Sequence, residues 1–196
     1  FKKYTTPFTI SEKATLKVYA EKNNVRSTII TTDFYKIDPN LKIDLKTEYA
    51  NQYNAGGNNA LIDGVFGTED FRTGTWQGYF DTDLVAVVDL GGQKEISEIS
   101  VGFLQDQRSW IFYPTEVSCF GSNDGINFTP IEQPKTIEAT QKSEDVTIKE
   151  VYFKQPSTTY RYIKLIAKKL GELPKWHLGH KHDGRSWIFV DEITIK

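Results

Sequence analysis

The sequence predicts an all-β fold, a sandwich or jelly roll of about eight strands joined by long loops. Three observations carry that expectation. No stretch longer than a few residues keeps a helical period. Short runs rich in β-branched and aromatic residues recur along the chain. Turn dipeptides such as Asp124-Gly125 and Gly91-Gly92 punctuate those runs.

Residues 1–36 read as three short strands, YTTPFTI, ATLKVYAE and TIITTDFYK, with turns at residues 11–13 and 22–24. Leu16, Val18 and Ala20 share one face. So few strands cannot bury a good core alone. Asp38-Pro39-Asn40 is a turn signal and sets an expected domain boundary, 1–37 against 38–196. LKIDLKTEY follows as a strand, then the loop YNAGGNN.

LVAVVDLG (84–91) is a nearly continuous apolar run, expected to be buried on both faces and to end in a turn at Gly91-Gly92. ISEISVGFL (96–104) places Ile99, Val101 and Phe103 on one side. TEVSCFGS and the SNDGINF hairpin signal follow, then a polar loop over 132–145. VTIKEVYF (146–153) and YRYIKLIAKK (160–169) read as two strands, the second with Ile163, Leu165 and Ala167 inward. A long loop over 170–186 leads to a last strand, WIFVDEITIK.

The chain has 196 residues, with 24 basic and 26 acidic side chains, a net charge of −2. No basic face is implied, which argues against nucleic acid as a partner. No apolar run approaches membrane-span length. The chain starts at Phe1 and holds no Met, which reads as a piece of a longer protein. The single Cys119 has no internal disulfide partner and reads as an inert strand thiol. Aromatics make up 13%, an excess that fits flat, apolar-faced ligands such as sugars, although most Phe must fill the core.

The stretch over residues 60–80, ALIDGVFGTEDFRTGTWQGYF, has no strand or helix period but much specific chemistry. Asp63-Gly64 turns the chain sharply, Thr68 offers another oxygen, and neither Cys nor His is present. Such an all-oxygen loop suits a hard cation, calcium above all. The alternative is a surface turn in which Asp63 caps its own backbone.

Residues 40–196 resemble the discoidin-like, or coagulation-factor type C, domain, whose bacterial sugar-binding members are the family-32 carbohydrate-binding modules. The matching pieces are ALIDG (60–64), Thr75-Trp76, AVVDLG (86–91), ISEISVGF (96–103), YPTEVSCFGSNDGINF (113–128), RYIKLIA (161–167) and SWIFVDEITI (186–195). Residues 4–36 resemble later strands of the small Ig-like β domain that follows the barrel in bacterial chitobiases and β-hexosaminidases. Together the resemblances imply a discoidin-like jelly-roll β-sandwich behind a short N-terminal β segment of an Ig-like accessory domain. They also imply the C-terminal end of a secreted, periplasmic or cell-surface bacterial glycoside hydrolase, with that hydrolase's catalytic domain as a partner in the same chain.

The resemblance implies a structural calcium held by the Ala60 carbonyl, the Asp63 carboxylate, the Phe66 carbonyl, Thr68, the Asp191 carbonyl and the Glu192 carboxylate. Family loops reach their Trp two residues after the Thr, whereas here residues 69–75 are inserted before Trp76, a departure that bears on Thr68. It also implies a glycan site on loops at one end of the sandwich, an aromatic ring stacking on the sugar while Arg, His and Asn bond its hydroxyls. Loop residues of those types are Trp76, Tyr79, Phe80, Arg108, Trp110, Tyr113, Trp176 and His177. Arg108 follows the strand after which the family carries a sugar-binding Arg; its alternative is a salt bridge to Asp106 or Asp70. Trp76 has an alternative as a core residue, and Trp187 reads as packing. His177, His180 and His182 lack a clean metal spacing.

Three functions follow for test: a non-catalytic glycan binder, a calcium-stabilised brace without a ligand, and an enzyme. The enzyme would draw on the paired acids Asp81 and Asp83 or Glu69 and Asp70, and ranks last. The pentapeptide RSWIF occurs at 108–112 and again at 185–189, with unmatched flanks. It reads as chance, or as two similar passages from loop into strand.

Overall fold

The computed structural model describes residues 1–12, 14–34, 37–138 and 141–196. Strand β1 (Ala14–Val18) pairs antiparallel with β4 (Ile30–Phe34), and β2 (Glu21–Lys22) pairs with β3 (Val25–Arg26) through a tight turn. Asn23 and Asn24 both take positive φ in that turn, which asparagine tolerates better than most residues. YTTPFTI forms no strand among the described residues. These two small sheets are separate from the main sheet, although Phe34 bridges Val65. Tyr35 and Lys36, the end of the expected third strand, lie outside the described residues.

The main sheet contains β5 (Lys42–Leu45), β6 (Gln77–Phe80), β7 (Leu84–Gln105), β8 (Glu116–Ser122), β9 (Thr129–Pro130), β10 (Lys135–Thr136), β11 (Thr147–Lys168) and β12 (Trp187–Ile195). Two of these overturn the expected segmentation. β7 runs for 22 residues straight through Gly91-Gly92, and β11 for 22 residues through the gap expected at 154–159. They pair along almost their whole lengths. What was read as a turn is a bulge. Between the pairs Tyr162↔Asp89 and Tyr160↔Lys94, β7 carries extra residues, with Gly91 at φ 76°. A second irregularity on β11 lies between Lys154 and Thr158.

These bulges fold one sheet into two layers. The first half of β7 pairs with β5 and the end of β11, which pairs with β8. The second half of β7 pairs with the start of β11 and with β12, which pairs with β6. Leu84, Ala86, Val88 and Leu90 point inward from the first layer, and Ile99, Val101 and Phe103 from the second. The parity changes from even to odd across the bulge, as a corner requires. Alternate residues Val85, Val87 and Asp89 are only half-buried, so LVAVVDLG is covered on one face rather than two. Val117, Cys119, Ile163, Leu165 and Ala167 complete the core. Burial pushes the Cys119 thiol up to about 12, which holds it inert at neutral pH.

A second, smaller core lies at the loop end of the sandwich. Phe71, Trp76, Leu104, Ile111 and Phe189 are buried together there, with Tyr53 and Trp187 against them. The two RSWIF copies meet beside it. Trp187 N donates to Trp110 O at 2.9 Å and Phe112 N to Trp187 O at 3.0 Å, so they lie side by side in parallel.

Candidate functional site

Two groups of predicted residues converge in space. The first joins the 60–67 loop to β12. Ala60–Ile62 form a buried 3-10 turn, and Asp63 turns the chain with its Oδ1 accepting from Val65 N at 2.8 Å. That is the self-capping turn weighed as an alternative, and it uses one carboxylate oxygen. Gly64 N donates to Glu192 Oε2 at 3.0 Å, and Gly67 N donates to Asp191 Oδ2. Consecutive strand residues normally face opposite ways. Here a register shift between Asp191 and Ile193 leaves Glu192 as the extra residue, and both neighbouring carboxylates are buried.

This is an acidic cluster whose carboxylates bond to backbone N–H groups. Burial pushes the Asp191 carboxyl up to about 7 and Glu192 up to about 8, the charge of Asp63 adding to both. Asp63 is raised as well, also by burial. Asp191 Oδ1 is buried with no hydrogen-bond partner. The sequence reading assigned Asp191 only its carbonyl and missed the carboxylate, because a bulge cannot be seen in strand alternation. Among the described residues, no three His, Cys, Asp or Glu side chains converge as a ready-made ligand set. Backbone N–H groups occupy these carboxylates instead. Thr68 is not drawn in: its hydroxyl donates to Asp70 O at 3.3 Å and its carbonyl accepts from Trp76 Nε1 at 2.7 Å. Phe66 lines a groove of about 500 Å³ beside Glu192, with Ile62, Leu90, Ile96 and Ile193.

The second group lies where the 106–112 turn meets the 170–186 loop. Asp106 N and Ile111 N exchange bonds with each other's carbonyls at 3.1 Å, closing the turn. Trp110 sits in the left-handed region at φ 62°, its N–H donating to Gln107 O at 3.1 Å. An indole residue there is uncommon and marks a site under constraint. Its ring lies against Gly179, where an added Cβ would fall 1.9 Å from the indole nitrogen. Only glycine allows that approach. The Arg108 side chain is 65% exposed, and its Nε stands 3.8 Å from Asp106. Asp70, the other expected partner, pairs with Arg72. Trp176 is 41% exposed and the adjacent Leu178 is 80% exposed.

Four predicted sugar contacts are corrected by burial. Trp76 is 2% exposed, fills the small core and spends its N–H on Thr68. Tyr79 is fully buried, its hydroxyl donating to Gln77 Oε1 at 2.6 Å. Tyr113 is buried and donates to Thr147 Oγ1 at 2.8 Å. His177 is buried with both ring nitrogens engaged, Nε2 on Gln107 O at 2.7 Å and Nδ1 accepting from Gly179 N at 3.1 Å. Phe80, weighed with them, is half-buried under the Arg185 guanidinium. The physical reason is shared: loop aromatics beside a thin sandwich finish its core before they face solvent.

The acid pairs weighed for catalysis are structural. Lys169 Nζ binds Asp81, and Lys169 N donates to Asp83 Oδ1 at 2.9 Å. Asp70 caps the 3-10 turn Phe71–Thr73. Sequence reasoning missed one feature, a groove of about 510 Å³ lined by Asp44, Thr47, Glu48, Tyr49, Asn51 and Asn58. These residues are spread along ordinary strand and loop sequence and carry no motif.

A family model described as the F5/8 type C domain matches residues 42–193. No curated protein sequence matches the chain. Among solved structures, a Ruminococcus gnavus GH29 fucosidase in complex with fucose aligns at 16% identity and TM-score 0.50, over 81% of this chain and 25% of that one. The Clostridium perfringens module CpGH89CBM32-5, solved with GalNAc-beta-1,3-galactose, aligns at 20% identity and TM-score 0.48, over 80% of this chain and 94% of that one. The family 32 module of C. perfringens NanJ, solved with galactose, aligns at 16% and 0.46, over 80% and 93%. At these identities the likeness is one of fold. No helix among the described residues is long and apolar enough to cross a membrane. The domain match spans most of the chain and coincides with its two-layered sheet, and the chain therefore belongs to the F5/8 type C domain family.

Proposed function

We propose that this protein is a non-catalytic carbohydrate-binding module that works beside a glycoside hydrolase in a secreted or surface setting. The observation that supports it is the loop end. Trp176 and Trp110 both pack on the His177 ring there, Arg108 lies two residues before Trp110 on the same turn, and Trp176 and Arg108 reach solvent. An indole face covers the apolar face of a sugar ring, and a guanidinium fixes its hydroxyls. Affinity at one such site is weak and is raised by attachment to other modules. Residues 1–37 are read as part of an Ig-like accessory domain, their exposed Phe8, Val25 and Ile30 fitting a segment that completes its core against other parts of a longer chain. A hexosaminidase-type parent remains the reading for the catalytic partner.

A structural calcium belongs to the same proposal. The buried Asp191 and Glu192 carboxylates, with the partnerless Asp191 Oδ1 and the half-buried Asp63 nearby, suit a hard cation, although they would have to draw closer to share one ion. Ala60 and Phe66 carbonyls from the same loop would join them. Thr68 has no part in it. The ion would supply charge neutralisation and hold the first loop to the last strand.

The test is a glycan array on the purified protein, with wild type beside Trp176→Ala and Arg108→Ala. Retention that both changes reduce at least tenfold, with unchanged circular dichroism, is the expected result. Silence from a folded wild-type protein across the array would reject the binder and favour the brace.

A further inference from the structure

We infer that His177 is a positioning residue whose neutral imidazole staples the 170–186 loop to the 106–112 turn, and so holds Trp176 and Trp110, which both pack on it, beside the turn that carries Arg108. The inference rests on the reading of that loop end as the glycan site.

The geometry dictates the proton. A backbone N–H reaches Nδ1 from Gly179 at 3.1 Å, so Nδ1 must be bare and accept. The single ring proton then sits on Nε2 and donates to Gln107 O at 2.7 Å. One ring thereby joins the two loops, and it is 8% exposed. Three aromatic rings enclose it edge-on: Trp110 at 5.2 Å, Phe112 at 5.3 Å and Trp176 at 5.7 Å between centroids. Two of those three are the proposed platform. His177 also caps the 3-10 turn Leu178–Lys181 that carries Gly179, on which the Trp110 ring rests. The connection continues on the other side, where the Gln107 side chain donates to Gln141 O at 2.8 Å and accepts from Ser143 N at 2.8 Å.

A second proton has no acceptor here. On Nδ1 it would face the Gly179 N–H donor to donor. No side chain touching the imidazole titrates. Charged groups on the packed elements are Asp106 and Arg108 on the turn, Lys142, Glu144 and Asp145 behind Gln107, and Glu172, Lys175, Lys181, Asp183 and Arg185 on its own loop. His180 is turned away, with Nδ1 on Leu173 O at 2.7 Å and Glu172 at 3.5 Å, and His182 is exposed. None of these contacts His177 to take up a new charge. Acid therefore opens the staple rather than rewiring it.

The experiment pairs two readouts on the whole protein from about pH 8 to about pH 5, the range in which imidazoles titrate. Long-range proton–nitrogen NMR reports which nitrogen of His177 carries the proton. Titration with galactose, N-acetylgalactosamine and N-acetylglucosamine reports affinity. The expected result is an Nε2–H tautomer at neutral pH, then protonation with a shift of the Gly179 amide and about fivefold weaker binding, the worth of one ordering hydrogen bond. His177→Gln should bind weakly with a flat profile, while His182→Gln keeps the wild-type profile. An Nδ1–H tautomer at neutral pH overturns the inference, as does affinity that ignores His177 protonation; the glycan reading then stands. The NMR signature with no sugar bound at any pH supports the staple and counts against the glycan reading.

Discussion

The acidic tie and the aromatic loop end are built on opposite logic. At the tie, the buried carboxyls of Asp191 and Glu192 and the half-buried Asp63 are held by backbone N–H groups of Gly67, Gly64 and Val65. At the loop end, apolar rings lean on one another, and of the proposed contacts Trp176 and Arg108 reach well into solvent. The first region is limited by the burial of its acids. The second is limited by how much of its surface the core has consumed. A buried carboxylate is informative because burial disfavours it. A loop aromatic is informative only when it fails to be buried.

The largest effect expected separates the two indoles of the comparison. Trp76→Ala should destabilise by about 3–5 kcal/mol, read from urea denaturation, because it empties the small core. Trp176→Ala should cost under about 1 kcal/mol on the same curves, as a partly exposed ring. Equal losses would dissolve the distinction between core and platform.

Calcium sharpens the other side. Added at about a hundred times its dissociation constant it should stabilise by roughly 2.7 kcal/mol, seen as a rise in Tm. Glu192→Gln should abolish that rise. Calcium that leaves Tm unchanged in the wild type would remove the ion from the proposal.

A pH profile of the calcium-free protein is the next test. Asp191 and Glu192 bind protons more tightly folded than unfolded, so between about pH 4 and about pH 8 the native state holds the extra protons. Stability should fall as pH rises through that window and level off above it. In saturating calcium the slope should flatten, since the ion binds the ionised carboxylates. A metal-free profile that rises instead would mean the cluster is more solvated than its burial indicates.

The smallest effect is on chemistry. Cys119 in the folded protein should resist a thiol reagent at pH 8 over hours, since burial raises its thiol to about 12. Fast labelling would mean that the core at β8 opens readily.

Much of this architecture is legible in the residues. The period-two faces of ISEISVGFL and YRYIKLIA, and the hairpin at Asp124-Gly125, read correctly. Asp124 Oδ1 accepts from Ile126 and Asn127 N at 2.8 Å there. Gly91-Gly92 misled because glycine permits positive φ without saying whether the chain reverses or only kinks. The answer lay 70 residues on, in a β11 long enough to pair through the bulge. Asp63 was legible in its loop, and Glu192 only through the family resemblance. The Asp191 carboxylate was not, because it depends on one unpaired residue in β12. The loop aromatics were legible as a set but not one by one. Whether a ring fills a core or faces water depends on the neighbouring loop's path, which no local pattern records.

The hydrogen bond from Gly64 to Glu192 spans 128 residues of chain. During synthesis the loop that supplies Asp63 emerges well before its partners Asp191 and Glu192. The acidic pocket therefore forms only once β12 has been made, and a chain cut before β12 would leave Gly64 and Gly67 without their acceptors. Such late, distant closure is slow. It also makes the pocket a checkpoint: a cation bound there would engage only chains whose β12 has docked.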